Sequence, residues 1–397
     1  MALGIYISVP FCRTKCSYCN FASDVFSRAL FEQYVNRVCA DIANASDNAA
    51  EMGATIEREV DSIYLGGGTP TILDAVQLRR IFDAVRAQFS VVPDAEITVE
   101  CAPGTLTPDA LNGLLACGVN RVSLGVQSFV DVEASAVGRL HKRATVLEDI
   151  ARLRSAGIAN VNVDLIAGLP HQTAESWRDS LDQTLATDAP HASVYMLEVD
   201  EDSRLGRELI AGGKRYHAHL VPDEDATADF YAVACEKLQA AGVKQYEISN
   251  FSRTGFESRH NLKYWTRQPY FGFGVDAHSM LASALPEVES VRFAAPDALE
   301  KYVSGSPLQR TEVSSEAALE ESLFLGLRLN RGADLRAIAA SYGAAAAQEL
   351  MPTIARLVDD GLIQRDDDRV RLTARGRLLS NEVFQAFLAP APLPHNS

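Results

Sequence analysis

Three cysteines, Cys12, Cys16 and Cys19, stand at CxxxCxxC spacing in the loop Tyr6-Ile-Ser-Val-Pro-Phe-Cys12 to Asn20-Phe21. The loop follows a strand-like run, Gly4 to Val9, that stops at Pro10. Such spacing wraps three thiolates around one metal centre. A structural zinc site needs a fourth protein ligand and an all-cysteine iron-sulfur cluster needs four thiolates. Position 20 is asparagine, and the next cysteine, Cys39, falls inside an amphipathic helical pattern. The simplest reading is a 4Fe-4S cubane with three corners held by cysteine and one iron open to an exogenous ligand, because open coordination positions are where metal centres do chemistry. A zinc knuckle or a loop of plain thiols is the competing reading.

Further down the chain, Gly66-Gly-Gly-Thr-Pro70 ends a strand-like run. Three glycines let the backbone come within hydrogen-bonding distance of a ligand and Thr69 adds a hydroxyl, although a simple turn closed by Pro70 would look the same. Glu100, Gln127 and Asp164 fall at the tips of, or within, later strand-like runs, and Arg139 follows in Val137-Gly-Arg-Leu-His141. Polar side chains in buried parallel strands are costly unless paired or bound. Four at corresponding depths argue for a polar pocket at one mouth of the fold. Glu198 falls at the expected end of a sixth strand.

The elements that must position these residues alternate. Strands are expected at 6–9, 62–65, 97–101, 121–126, 161–166 and 192–199. Helices are expected at 27–51, 74–89, from Thr107-Pro108, at 145–156, from about Thr173, and at 224–241. Six strands alternating with helices mean parallel βαβ units, in an open doubly wound sheet or a TIM-type barrel. Placement of the candidate residues at strand ends favours a six-stranded partial (β/α)6 barrel.

The alternation stops after residue 242. Lys244 to Phe251 reads as extended, followed by His260-Asn-Leu-Lys-Tyr-Trp265 and Tyr270-Phe-Gly-Phe-Gly-Val-Asp-Ala-His-Ser279. Histidines, asparagines and aromatics broken by glycines suggest a loop-rich segment, 243–310, capping the open side of the barrel. Such side chains suit a flat macrocycle with an iron that takes an axial imidazole, or a buried histidine bonded within the core. A region at 311–390 shows helices at 334–342 and 347–360, a hairpin at 362–372 and a last helix, the order of a winged-helix-like unit. Its second helix carries Glu349, Asp359 and Asp360 against Arg356 alone, so a structural lid is expected in place of DNA binding. The tail 391–397 is expected to be disordered.

The cysteine loop, with Tyr18 just before its last cysteine, resembles the radical S-adenosylmethionine (SAM) enzymes. Together with Ser123-Leu-Gly-Val-Gln-Ser-Phe129, Asn162-Val-Asp-Leu-Ile-Ala-Gly-Leu-Pro170 and the two late motifs, it resembles the oxygen-independent coproporphyrinogen oxidase-like group over nearly the whole chain. The resemblance implies a 1–242 radical SAM core whose cluster reduces the SAM sulfonium to a 5′-deoxyadenosyl radical. It assigns Gly67, Gly68 and Thr69 to the SAM amino group and Glu100 to the ribose. Gln127, Arg139 and Asp164 complete that pocket, and Tyr6 and Tyr18 pack near it. Within the group the resemblance is to heme chaperones that deliver heme to hemoproteins such as respiratory enzymes, with His260 as the implied heme contact. True dehydrogenases of the group carry a cysteine where Phe21 stands and a longer segment ahead of the cluster, whereas eleven residues precede Cys12 here. Two positions depart from the group's pattern: Ser8 replaces a histidine and Asp276 a glycine.

Composition bounds the remainder. The chain has 397 residues, enough for two or three domains, with 47% hydrophobic and 22% charged residues. A net charge of −15 argues against a partner with a phosphate backbone. No secretory pattern opens the chain and no apolar run would span a bilayer, so a cytoplasmic protein is expected, with a homodimer and peripheral membrane contact left open. Cys39, Cys101, Cys117 and Cys235 sit among apolar neighbours as free thiols. Two other functions remain open, a radical SAM dehydrogenase acting on coproporphyrinogen III and a non-catalytic metal-stabilised regulator.

Overall fold

In the computed structural model, which describes residues 1–388, six parallel strands pair in chain order. They are β1 (Leu3–Val9), β2 (Glu59–Gly67), β3 (Ser90–Cys101), β4 (Arg121–Gln127), β5 (Asn160–Ala167) and β6 (His191–Met196). Each strand has an apolar and a polar face. Ile5, Ile7 and Val9 of β1, Ile63 and Leu65 of β2, and Val161, Val163 and Leu165 of β5 are fully or almost fully buried in one core with the flanking helices. The alternate positions are polar, and the register joins them across the sheet: Tyr6 beside Tyr64, Tyr64 beside Thr98, and Thr98 beside Arg121. Ser123 lies beside Asn162 and Asp164 beside Ser193 in the same way. A parallel sheet in an α/β protein is ordinarily apolar on both faces. A polar face on this one must either be satisfied internally or hold a ligand.

The connecting helices begin where the sequence places caps. Asp74 and Gln77 form a capping box, Thr107 accepts from the Ala110 N–H, and Thr173 pairs reciprocally with Ser176. The helix expected at 27–51 is two, Arg28–Ala43 and Ala45–Glu51, broken at Asn44, where ψ reaches 14°. Short helices at Asp131–Ala136 and Arg204–Ile210 carry too few turns to show a period. β6 ends at Met196, so Glu198 lies beyond the strand.

The expected cap at 243–310 contains strands and a helix. β7 (Lys244–Gln245) and β8 (Asn250–Ser252) extend the sheet antiparallel beyond β6. On the other side β9 (Tyr270–Gly274) runs parallel to β1. It is followed outward by β10 (His278–Ala282), β11 (Ser290–Ala294) and β12 (Gln309–Val313) in antiparallel order. The result is one mixed sheet of twelve strands. Tyr270-Phe-Gly-Phe-Gly274 alternates with period two, and its glycines admit close neighbours: a Cβ on Gly272 would lie 2.2 Å from the His278 carbonyl oxygen. The helix Arg259–Trp265 seats against the early part of the polar face, where Glu96 of β3 accepts the N–H groups of Arg259 at 3.0 Å and His260 at 3.1 Å.

A second core gathers Leu323, Leu327, Ile338, Ile354, Leu357, Val370 and Val383 around a sheet in the order β13 (Ala333–Asp334), β15 (Arg369–Leu372), β14 (Ile363–Asp366). The helix Ser315–Arg328, hidden from the periodicity reading, supplies one wall of it. The tail expected to be disordered lies outside the described residues. Glu96→Ala leaves two backbone donors of the Arg259–Trp265 helix without their acceptor. A loss of about 1–3 kcal/mol is expected, measured as a lower denaturant midpoint.

Candidate functional site

Two backbone hydrogen bonds tie the strand ends that carry the cysteine loop and the glycine turn. The Gly68 N–H donates to the Val9 carbonyl and the Thr69 N–H to the Phe11 carbonyl, each at 2.7 Å. A Cβ on Gly68 would lie 2.6 Å from the Phe11 oxygen and 2.9 Å from that of Val9, so only glycine fits. The cysteine loop is pinned from other sides as well. Cys12 N–H donates to Asp24 O at 2.9 Å, Ser17 N–H to Val137 O at 3.1 Å, and Leu205 N–H to Ser17 O at 2.7 Å. The Thr14 hydroxyl donates to Gly138 O at 3.1 Å, and Arg204 reaches the Lys15 carbonyl.

This frame holds Cys12, Cys16 and Cys19 as free thiols within a single loop. Burial pushes the Cys12 and Cys19 thiols above the usual range, each raised further by a neighbouring cysteine. Such a set favours neutral thiols until a cation takes the protons' place. Among the described residues, no three His, Cys, Asp or Glu side chains close in tightly enough for a single metal ion. Three thiols on one pinned loop are one short of the four ligands that a lone structural zinc ion needs.

Beside Cys16 stands Arg139, its Nη1 3.6 Å from the sulfur and its Nη2 bonded to the Gly125 carbonyl. Gln127 ends β4 across a register shift, in the left-handed region at φ 66°. Bulges and strained backbone of this kind re-aim side chains at functional sites. Tyr18 packs with Val137, Ile166 and Leu169.

Glu100 accepts from the Tyr64 hydroxyl at 2.8 Å and the Gly67 N–H at 3.1 Å. Burial raises its carboxyl to about 7, helped by the charge of Asp164 and opposed by those two donors. Asp164 accepts from Ser123 at 2.9 Å and Asn162 at 2.7 Å, and burial raises its carboxyl too. Tyr6 lies 6.1 Å, ring to ring, from Tyr64. The expected SAM-pocket residues therefore gather on the polar face and at its strand ends. Tyr64, Ser123 and Asn162, which motif reading missed, hold them in place, and their alternation along each strand was the available signal.

His260 sits beside that gathering, its ring 6.3 Å from that of Tyr6 and 5.4 Å from that of Tyr64. It is 1% exposed, with Nδ1 3.0 Å from the Ser62 hydroxyl and Nε2 2.9 Å from the Tyr264 hydroxyl. Burial drives its pKa down to about 3, with Lys263 and Arg121 adding to the effect. Both imidazole nitrogens are engaged, and neither is presented to a ligand.

A cavity of about 260 Å³ opens beside the cysteine loop, lined by Tyr6, Ser8, Phe21, Tyr264, Tyr270 and His278 among others. Asp276 also borders it, at φ 56° in a left-handed turn. That conformation explains why glycine suits the position and why aspartate is tolerated. A larger open cavity, about 740 Å³, lies around Arg58, Arg86 and Phe89, near the start of β3 and away from the cysteines.

The pH response of Glu100 is testable. The native carboxyl keeps its proton to about pH 7 and the unfolded one only to about 4.5, so the native state binds more protons between those values. Stability present below pH 4.5 is then lost as pH rises through 7. Melting curves from pH 5 to 8 are expected to show a smaller decline in Tm for Glu100→Gln than for wild type.

The profile of the radical SAM superfamily matches residues 6–184, and that of the HemN C-terminal domain matches 313–379. The heme chaperone HemW of Bacillus subtilis is 37% identical over 96% of this chain and 98% of its own. HemW of Escherichia coli is 30% identical over 98% of each chain. The crystallised E. coli coproporphyrinogen III oxidase HemN, a radical SAM enzyme, superposes with a TM-score of 0.81 at 24% identity, over 97% of this chain and 90% of that one. At that identity the likeness speaks for the fold. No helix among the described residues is long and apolar enough to cross a membrane. With near-complete coverage of its relatives in both directions, the chain belongs to the HemW family of radical SAM proteins.

Proposed function

We propose that this protein is a cytoplasmic heme chaperone that holds a 4Fe-4S cluster, SAM and heme, and passes the heme to hemoproteins such as respiratory enzymes. The observation that carries the reading is the end-to-end likeness to proteins named heme chaperone, at 37% identity in one of them. The pinned cysteine loop and the polar strand face support it. When bound, the cluster supplies a redox-active iron with one coordination position left for SAM.

The chain's own part follows from its chemistry. Cys12, Cys16 and Cys19 act as the cluster ligands, and the Arg139 guanidinium offsets negative charge at Cys16. Gly67, Gly68 and Thr69 offer backbone groups to the SAM amino group. Glu100 accepts from ribose hydroxyls, Gln127, Arg139 and Asp164 complete the pocket, and Tyr6 and Tyr18 pack against it. His260, the heme contact of this reading, also braces the Arg259–Trp265 helix under the polar face through its bonds to Ser62 and Tyr264.

In this reading β1 to β6 curl as a partial (β/α)6 barrel with the polar face inward, forming a core at 1–242. Residues 243–310 form an added segment, and 311–390 a winged-helix-like structural lid. The lid is proposed not to bind nucleic acid, in keeping with the net charge of −15.

An anaerobic titration of the reconstituted protein with ferric heme tests the function. Saturable, stoichiometric development of a Soret band supports it, and no binding overturns it. Incubation with coproporphyrinogen III under reducing conditions tests the dehydrogenase alternative, and decarboxylated product would replace the chaperone reading. Cys16→Ala is expected to lose cluster iron and SAM binding together, read by iron analysis and equilibrium dialysis. Full iron retention in that variant would remove Cys16 from the ligand set.

A further inference from the structure

We propose that Arg267, just beyond the helix Arg259–Trp265, is a positioning residue that latches the second core onto that helix and so controls when His260 is free to meet heme iron. This rests on the heme-binding reading above, in which His260 is the heme contact. An axial imidazole must offer iron a ring nitrogen with a free lone pair. His260 as it stands offers none: Ser62 holds Nδ1 at 3.0 Å, Tyr264 holds Nε2 at 2.9 Å, and the residue is 1% exposed. A hydroxyl must swing away before iron can take its place. Tyr264 sits in the last turn of the same helix, so whatever fixes that turn also fixes its hydroxyl.

Arg267 fixes that turn. Its N–H donates to the Tyr264 carbonyl at 3.2 Å and the Gln268 N–H to the Lys263 carbonyl at 2.9 Å, the paired bonds of a Schellman helix end. The residue at that corner is left-handed, with φ 49° here, and glycine is its usual occupant. A side chain there costs conformational energy and persists where its contacts hold it. Arg267 Nε meets Glu321 at 2.9 Å, Nη1 meets the Tyr342 hydroxyl at 2.9 Å, and Nη2 meets the Ser290 hydroxyl at 3.2 Å. Glu321 lies in the helix Ser315–Arg328 and Tyr342 ends the helix Leu335–Tyr342, both of which wall the second core. Trp265 adds a contact to the same core, with the Arg328 guanidinium 4.2 Å above its ring. Trp265 Nε1 and Arg328 Nε are buried without a hydrogen-bond partner among the described residues. Opening this contact hydrates both groups and offsets part of its cost, which suits an element with two accessible positions. The first turn of the helix is held separately by Glu96, so release of the latch frees the last turn and leaves the helix anchored at its start.

Arg267→Gly opens the latch and spares the helix, because glycine suits the left-handed corner and Glu321 keeps Arg292 at 2.9 Å. The test follows ferric-heme association by stopped flow at the Soret band in cluster-reconstituted wild type, Arg267→Gly, His260→Ala and the double variant. Arg267→Gly is expected to bind heme about threefold faster or more, as the competent fraction rises. Its cluster iron and far-UV circular dichroism are expected to match wild type, with faster amide hydrogen exchange at the end of the helix. In the His260→Ala background the same substitution is expected to leave the rate unchanged, a coupling that general loosening of the structure would not produce. Tyr342→Phe removes one latch contact and no charge. It is expected to give a smaller acceleration, and it replaces Arg267→Gly should that variant fail to fold. An unchanged rate in the folded latch variant, or an equal acceleration with and without His260, would overturn the latch and leave the chaperone reading standing. Absence of heme binding by wild type would overturn both.

Discussion

Two short backbone hydrogen bonds, from Gly68 to Val9 and from Thr69 to Phe11, fasten the ends of the first two strands together. The cysteine loop leaves the first strand at that point and the glycine turn leaves the second. Neither can move without the other. Because Gly67 also donates to Glu100 at the end of the third strand, one set of contacts fixes three strand ends against each other. A site assembled from residues far apart in the chain needs this rigidity, since a misplacement of about 1 Å can cost two orders of magnitude in a reaction.

The polar strand face follows from the same arrangement. Ser62, Tyr64, Ser123, Asn162 and Asp164 would be a liability in a sheet covered by helices on both sides. Here Tyr64 bonds Glu100, Ser123 and Asn162 bond Asp164 and each other, and Ser62 bonds His260. Low local dielectric strengthens such networks and makes an unpaired member costly. Burial raises the carboxyls of both Glu100 and Asp164, and the charge of Asp164 adds to the effect at Glu100. Groups with shifted protonation at strand ends mark functional sites. The helix Arg259–Trp265 completes the enclosure from the early side of the strands, with Glu96 gripping its first turn.

Outside this centre the added strands widen the sheet. β9 to β12 build a wall beside β1, and the cavity near Phe21 and His278 lies between that wall and the cysteine loop. The second core meets the rest through Ile248, the Arg267 and Arg292 contacts to Glu321, and the Arg328 contacts to Glu247 and Trp265, among others.

Much of this was legible in the chain. CxxxCxxC after a strand, a glycine turn after the next, and polar residues at strand tips depend on local spacing, and local spacing survives folding. Capping residues such as Asp74 and Thr173 marked helix starts for the same reason. The tertiary structure alone decided the rest. Tyr270-Phe-Gly-Phe-Gly274 looks like a loop until β1 offers it a parallel ladder. His260 gains its partners Ser62 and Tyr264, nearly 200 residues and four residues away, only in the folded chain. Tyr64 acquires its role only because the neighbouring strand brings Glu100 within 3 Å, and Asn162 because the strands on either side bring Ser123 and His191 within 3 Å. Sequence fixes which donors and acceptors exist. Which of them meet depends on register and long-range packing, and no local pattern encodes that.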